Sequence, residues 1–338
     1  MEPLSANSKT YFYTETAFHH MGDMAFLKSL IHSSVKIGAQ GVKFQVLIDY
    51  DSFIADQHSM YEEFKEGTFS LDEWREIFSY TNSKGLDIIL MPICTDSFEL
   101  LEGDGYQIKF LDIHSVSFND QEVLDLIKES GLPIILGVGG RTTEEVDIKI
   151  NIFGDQLKVL MVGFQAFPTK IEEMKIGKIA WLKRKYPGLE IGYADHSPYD
   201  SEHAVTSNEW AYLLGATYFE KHITTHPGFD RWDWQSALSV ENTKTLIEKL
   251  RFLDENVMSY SEVEFDQIDG KELTYRNRQK IAVALKRLAK GHVLTEQDIA
   301  MKMLDSTEGI VDWKSLVGKE CTQAVIKGAK LYSHNLNI

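Results

Sequence analysis

Between residue 11 and about residue 253 the chain repeats one pattern eight times: an apolar run of strand length, then a stretch with helical spacing. The runs are 11–17, 41–47, 87–94, 107–115, 133–139, 157–165, 190–197 and 216–224. Between them, sets such as Met24, Leu27, Leu30 and Ile31, or Val123, Leu126 and Ile127, recur at the 3.6-residue period of a helix face. Each intervening segment is long enough for the crossover that parallel strands require. Eight strand–helix units predict an α/β fold, a closed (β/α)8 TIM barrel, rather than an open doubly wound sheet. No Gly-x-Gly-x-x-Gly follows the first run, so a dinucleotide fold has no support.

The pattern stops near residue 254. Residues 255–277 are acidic and weakly periodic, as in a linker, and 278–338 read as a compact β-rich domain. That domain has strand-like pieces at 280–284 and 322–326, turns at Lys290-Gly291 and Lys327-Gly328, and a short helix beginning near Thr295. It is small for independent stability, so it is expected to dock on a barrel, its own or that of a second copy; a homodimer follows.

Composition narrows the partners. A formal net charge of −16 argues against nucleic acid or an anionic membrane surface. No apolar run approaches the ~20 residues needed to span a bilayer. The first ten residues lack a signal-peptide pattern, and two cysteines, Cys94 and Cys321, suit a reducing cytoplasm.

Chemistry in such a barrel belongs at the C-terminal ends of the strands. The seventh run ends Gly192-Tyr193-Ala194-Asp195-His196-Ser197, and the eighth contains Glu220-Lys221-His222. One histidine at a strand end is usually a structural hydrogen-bonding group. Two in matching positions on adjacent strands, each near a carboxylate, suit a metal site, since imidazole is the commonest protein metal ligand. Glu15, within a Tyr/Phe/Thr strand, is costly to bury without a partner.

In order and spacing, these strand ends resemble the sialic acid synthase family, whose members condense phosphoenolpyruvate with an amino-sugar aldehyde. The matching segments are Glu15-Thr16-Ala17-Phe18-His19-His20-Met21-Gly22-Asp23, Val42-Lys43-Phe44-Gln45, Gly163-Phe164-Gln165-Ala166-Phe167-Pro168, Gly192-Tyr193-Ala194-Asp195-His196, Glu220-Lys221-His222 and Pro227-Gly228-Phe229-Asp230. The tail from Arg278 resembles the small antifreeze-like (SAF) domain of that family. The resemblance implies a nonulosonic acid synthase for surface glycans, with a divalent metal, manganese or magnesium, held by His196 and His222. It also implies that Glu15 positions sugar hydroxyls or manages a proton, with Glu220 beside it in the catalytic set. Asp230 would hold the sugar chain, and Lys43, Gln45, Ser115 and Gln165 would line the phosphoenolpyruvate side. The homodimer would be domain-swapped in the family manner.

The chain departs from that pattern in places. The family's phosphate-binding lysine on the fourth strand is Asp112, and Lys109, three residues earlier, falls on the other face of the strand. Gly137-Val138-Gly139 replaces a hydroxyl-bearing loop, Ala194 replaces a serine, and Met303 stands where a substrate-binding arginine is found. Two further readings therefore stand beside the synthase. One is a diverged metal-dependent barrel aldolase or isomerase that does not use phosphoenolpyruvate; the other is a non-catalytic partner in a glycan pathway. Lys43 could be a solvated strand-end lysine, Asp230 a loop cap, and Trp232 and Trp234 either sugar-stacking or packing residues. His226 is a further candidate ligand.

Overall fold

The computed structural model describes residues 9–163, 166–257, 268–276, 278–304, 310 and 312–337. Eight parallel strands pair in chain order: β1 (Tyr11–Glu15), β2 (Gly41–Val46), β3 (Asp87–Pro92), β4 (Ile108–Ile113), β5 (Ile134–Gly137), β6 (Leu157–Val162), β7 (Glu190–Asp195) and β8 (Tyr218–Thr224). β1 also pairs with β8, which closes the predicted barrel. Every strand lies inside a predicted run, and all but β8 stop short of the run's end. Residues beyond those points, His114 and His196 among them, leave the ladder to build the rim.

The crossovers are α1 (Met24–Ile37) after β1, then α2 (Tyr50–Phe53), α3 (Tyr61–Gly67) and α4 (Leu71–Ser83) after β2. A 3-10 helix, Thr95–Glu102, replaces an α-helix between β3 and β4. The remaining connections are α5 (Gln121–Ser130), α6 (Thr143–Phe153), α7 (Lys178–Lys185) and α8 (His203–Leu213), and α9 (Val240–Asn256) follows the barrel. Local signals set the ends. Asp23 caps α1 by accepting from Phe26 N at 2.9 Å, and capping boxes open α4 (Ser70, Glu73) and α6 (Thr142, Glu145).

Strand alternation divides the core in two. Outward residues such as Phe12, Val42, Phe44 and Phe219 pack under the helices. Inward residues Tyr11, Tyr13, Ile89, Phe110, Ile135, Val159 and Met161 fill the barrel. Glycine makes room for these large side chains: a Cβ on Gly41 would sit 2.8 Å from both Ile89 and the Tyr11 hydroxyl. The interior is therefore a packed plug, and the inward polar residues lie above it, toward the C-terminal ends.

Contacts separate Met1–Glu262 from Val263–Ile338. In the second unit β9 (Ile281–Ala284) runs antiparallel to β10 (Ile299–Lys302) over a core that includes Ala282, Leu288, Leu294 and Leu331. The 322–326 segment forms no strand; Val325 makes an isolated bridge to Leu288. Within the span read as a linker, α10 (Gly270–Arg276) is helical, because Asp269 and Glu272 cap each other's backbone amides at 2.9 and 3.1 Å. Cys94 and Cys321 are buried and free, and no helix among the described residues is long and apolar enough to cross a membrane.

Candidate active site

β1 and β8 run side by side with Glu15 level with His222, and β7 delivers His196 one residue past its end. His196 Nδ1–H donates to the Ala194 carbonyl at 3.0 Å, which leaves its Nε2 lone pair facing the barrel axis. That atom is 3.1 Å from His222 Nε2, and His222 Nε2 is 3.1 Å from Glu15 Oε2. Burial, and then His222, push the His196 imidazole well below its ordinary range, so it stays neutral. Three donor atoms thus converge within 4.8 Å of one another, all on buried residues.

Tested as a metal site, this donor set fits. Ligand atoms 3.1 Å apart match neighbouring positions on an ion with bonds of about 2.1–2.2 Å. Two imidazoles and one carboxylate suit a first-row divalent ion. His226 stays outside: it is exposed and pairs with its neighbour Thr225 at 2.8 Å.

The carboxylates flanking the two histidines part company. Asp195 points out of the barrel, where it meets Lys221 at 3.0 Å, Asn208 at 3.1 Å and the Ser197 amide at 2.8 Å, all buried. This knot locks the ends of β7 and β8 to α8. Glu220 points inward and accepts from Lys43 Nζ at 2.8 Å.

Lys43 is not solvated; it is 1% exposed at the centre of an acidic cluster. Its Nζ lies 3.2 Å from Glu15 Oε1 and 3.9 Å from Asp112 Oδ2. Burial works against the ammonium, but Asp112, Glu15 and Glu220 outweigh it and hold it charged. One cation cannot keep three buried carboxylates ionised. Burial would raise Glu15, yet Lys43 and His222 overcome it and hold the group well below the usual carboxylate range. Burial and the charge of Glu15 drive Glu220 well above that range, so it carries a proton. Asp112 is pushed up by burial, against Lys43, to about 6. Gln45 donates to Glu15 Oε1 at 2.7 Å and orients the remaining oxygen toward His222.

Above these groups opens a cavity of about 530 Å³. Glu15, Gln45, His114, His196, His222 and Asp233 form its polar side, while Phe18, Phe53, Phe64, Phe167 and Trp232 form an aromatic wall. Phe167 stands 6.1 Å from both site imidazoles, edge-on. Trp232 packs on Phe64 at 4.8 Å, and its carbonyl accepts from His19 Nδ1 at 2.6 Å, which ties the β8 loop to the β1 loop. Trp234 lies apart, against Tyr199.

Of the residues named from sequence, the structure brings together Glu15, Lys43, Gln45, Glu220, His196 and His222. Ser115 also lines the cavity. Gln165 lies outside the described residues. Asp230 is exposed and does not line the cavity; Asp233 does, because its left-handed backbone (φ 65) turns the loop inward. Burial raises the Asp233 carboxyl above its ordinary value. Asp233 carries no sequence signal of its own, since the Pro-Gly-x-Asp pattern points to Asp230. Gly137, in the turn that replaces a hydroxyl-bearing loop, makes room for His114: a Cβ there would meet its Nδ1 at 2.6 Å. Lys109 sits at the start of β4, paired with Asp87 at 2.6 Å and far along the strand from Asp112.

The chain is similar to several known proteins along most of its length. N-acetylneuraminate-9-phosphate synthase of Drosophila melanogaster is 26% identical, over 92% of this chain and 91% of that one. N,N'-diacetyllegionaminic acid synthase of Legionella pneumophila is 22% identical, over 98% and 96%. The crystal structure of a spore coat polysaccharide biosynthesis protein E from Chromobacterium violaceum shares the fold with a TM-score of 0.80, at 20% identity and covering 97% of this chain and 99% of that one. Residues 30–261 match the NeuB family, and the chain belongs to that family.

Proposed function

We propose that this protein is a metal-dependent carbon–carbon bond-forming synthase of glycan biosynthesis. It joins a three-carbon unit, a 2-oxo acid or its enol phosphate, to the aldehyde of an amino sugar and yields a nonulosonic-type acid. The observation that carries this reading is the Glu15, His196 and His222 triad at the mouth of the barrel. Membership of the NeuB family and relatives named as sialic and legionaminic acid synthases support it.

Glu15 Oε2, His196 Nε2 and His222 Nε2 would hold a divalent ion, which supplies Lewis acidity to a carbonyl when bound. Two imidazoles favour manganese or a related ion over magnesium, which prefers oxygen. Asp233 faces the same cavity and is placed to accept hydrogen bonds from sugar hydroxyls. The protonated Glu220 stores a proton next to the ionised Glu15, with Lys43 between them to balance the charge. Trp232 and Phe167 exclude water and offer faces on which a sugar can lie. A homodimer of chains whose C-terminal unit resembles an SAF domain belongs to the same reading.

The test uses the full chain, stripped of metal and reloaded with manganese. It is incubated with N-acetylmannosamine or a 6-deoxy di-N-acetyl relative, and with phosphoenolpyruvate or pyruvate. A 2-oxo-3-deoxy acid seen by mass spectrometry and lost with EDTA supports the reading. No EDTA-sensitive condensation product in any pairing overturns it.

A further inference from the structure

The loop that leaves β8 carries Trp232 and Asp233 into the cavity wall. Asp233 has φ 65 and ψ 10, a left-handed conformation that costs free energy in any residue with a Cβ and persists where surrounding contacts over-determine it. Those contacts grip the loop on both sides of Asp233. After it, Ser236 Oγ donates to the His196 carbonyl and the Tyr199 amide to the Gln235 carbonyl, each at 2.8 Å. Before it stands Arg231, whose side chain crosses to the β1 loop and the start of α1. Its Nη1 donates to the carbonyls of His19 and His20 at 3.3 and 3.2 Å, and its Nη2 to Asp23 Oδ2 at 3.5 Å. The guanidinium carbon lies 3.9 Å from the centre of the Phe26 ring. Trp232 completes the tie: its carbonyl accepts from His19 Nδ1 at 2.6 Å, and Thr224 Oγ1 on β8 donates to His19 Nε2 at 2.9 Å.

Arg231 itself is not among the residues that line the cavity. Its planar fork of donors meets two carbonyls, a carboxylate and an aromatic face at once, a set that a lysine ammonium satisfies only in part. Glu15 and His222 are held by the barrel ladder, and His196 follows Asp195, which Lys221 pins. Asp233 has no such support and depends on the grips at either side of it. We propose that Arg231 is a positioning residue of the acceptor-sugar subsite: by clamping the β8 loop to the β1 loop, it keeps the Asp233 carboxylate turned toward the sugar hydroxyls. Without the clamp, Asp233 relaxes to an ordinary backbone conformation and its carboxylate leaves the sugar. The inference rests on the metal-centred condensation above and deepens its account of sugar binding.

Steady-state kinetics of the full-length, manganese-loaded protein test this, with the amino sugar varied at saturating donor. Arg231→Met should raise the sugar KM at least ~10-fold, while kcat, the donor KM and manganese affinity by calorimetry stay within ~3-fold. Arg231→Lys should give an intermediate rise of ~3–10-fold. If Arg231 acts through Asp233, the two are coupled: adding Asp233→Asn to Arg231→Met should raise the sugar KM less than ~3-fold further, whereas independent residues multiply. An unchanged sugar KM in Arg231→Met, a parallel loss of manganese affinity, or multiplying effects in the double variant overturns the proposal. So does an unchanged sugar KM in Arg231→Lys, even where Arg231→Met fails to fold. Any of these in a protein whose wild type condenses sugar and donor sinks this inference alone. A wild type that yields no EDTA-sensitive product sinks the metal-centred reading beneath it.

Discussion

Glu15 works through both of its oxygens. One is held by Gln45 and Lys43, and the other faces His222. Removing the charge with Glu15→Gln should weaken manganese binding at least ~10-fold, and Gln45→Leu, which frees the carboxylate to rotate, by ~10–100-fold. Calorimetry on metal-stripped protein reads both, and full affinity in Glu15→Gln would remove Glu15 from the ligand set. Asp233 and Asp230 make a paired test of the sugar side. Asp233→Asn should raise KM for the sugar at least ~10-fold, the loss of a charged hydrogen bond, while Asp230→Asn leaves it within about twofold. The reverse order would return the role to the exposed residue. His20 carries a pH prediction. Its imidazole is buried against Phe69, and burial, then His19, lower it to about 3. The unfolded chain takes up this proton near pH 6.5 and the folded chain does not. The stability due to neutral His20 is therefore complete above pH 6.5 and falls as pH drops toward 3, by ~1.4 kcal/mol per unit. Urea titrations at pH 7, 6 and 5 should show His20→Phe losing less stability on acidification than the wild type, and equal losses would refute the assignment.

At the scale of elements, the β7 and β8 ends are set by the outward Asp195–Lys221 pair rather than by His196 and His222. Lys221 Nζ also donates to the Asp195 and Ser197 carbonyls at 3.1 and 3.3 Å, so one side chain pins both strand ends. Lys221→Met leaves Asp195 buried without its cation and should cost ~3–5 kcal/mol in urea unfolding. Because His196 and His222 flank this pair, manganese affinity should fall with it. A loss under 1 kcal/mol would mean the pair contributes little. The neighbouring β6 end shows the same tight design: Gly163 has φ +129, and a Cβ there would meet the Ala194 carbonyl oxygen at 2.1 Å. No L-residue fits that position without moving the strand that carries His196.

For the whole molecule, the two units have separate cores, and the second is organised around one buried acid. Asp298 accepts from Thr295 N and His292 Nε2, each at 2.9 Å, and pairs with Lys286 at 2.7 Å. Burial would raise this carboxyl, but hydrogen bonds from Lys286, His292 and Thr295 outweigh it and hold it well below the usual range. Its stabilisation is therefore present above the ordinary carboxylate range and lost as pH falls below it. Asp298→Asn in the full chain should destabilise the second unit by ~1–3 kcal/mol at pH 7 and leave barrel unfolding unchanged. Hydrogen exchange resolved along the sequence checks this, and an equal loss of protection in both units would show that they unfold as one.

The sequence by itself determined the barrel, because eight apolar runs with period-two and period-3.6 spacing admit few other ways to bury their surfaces. It also singled out Glu15, as a carboxylate inside an apolar strand, His196 and His222, as paired strand-end imidazoles, and, through the resemblance, Lys43, Gln45 and Glu220. Tertiary structure alone decided how they sort. Strand register set Glu15 beside His222 and made it a third donor, and side-chain alternation sent Asp195 outward and Glu220 inward. A left-handed residue in the β8 loop, Asp233, lines the cavity where Asp230 does not. The state of each carboxylate around Lys43 is likewise unreadable from a linear chain, since it depends on distances across the barrel between residues as far apart as 15 and 220. Local patterns are written in short-range spacing; a site is a matter of which long-range neighbours share one low-dielectric volume.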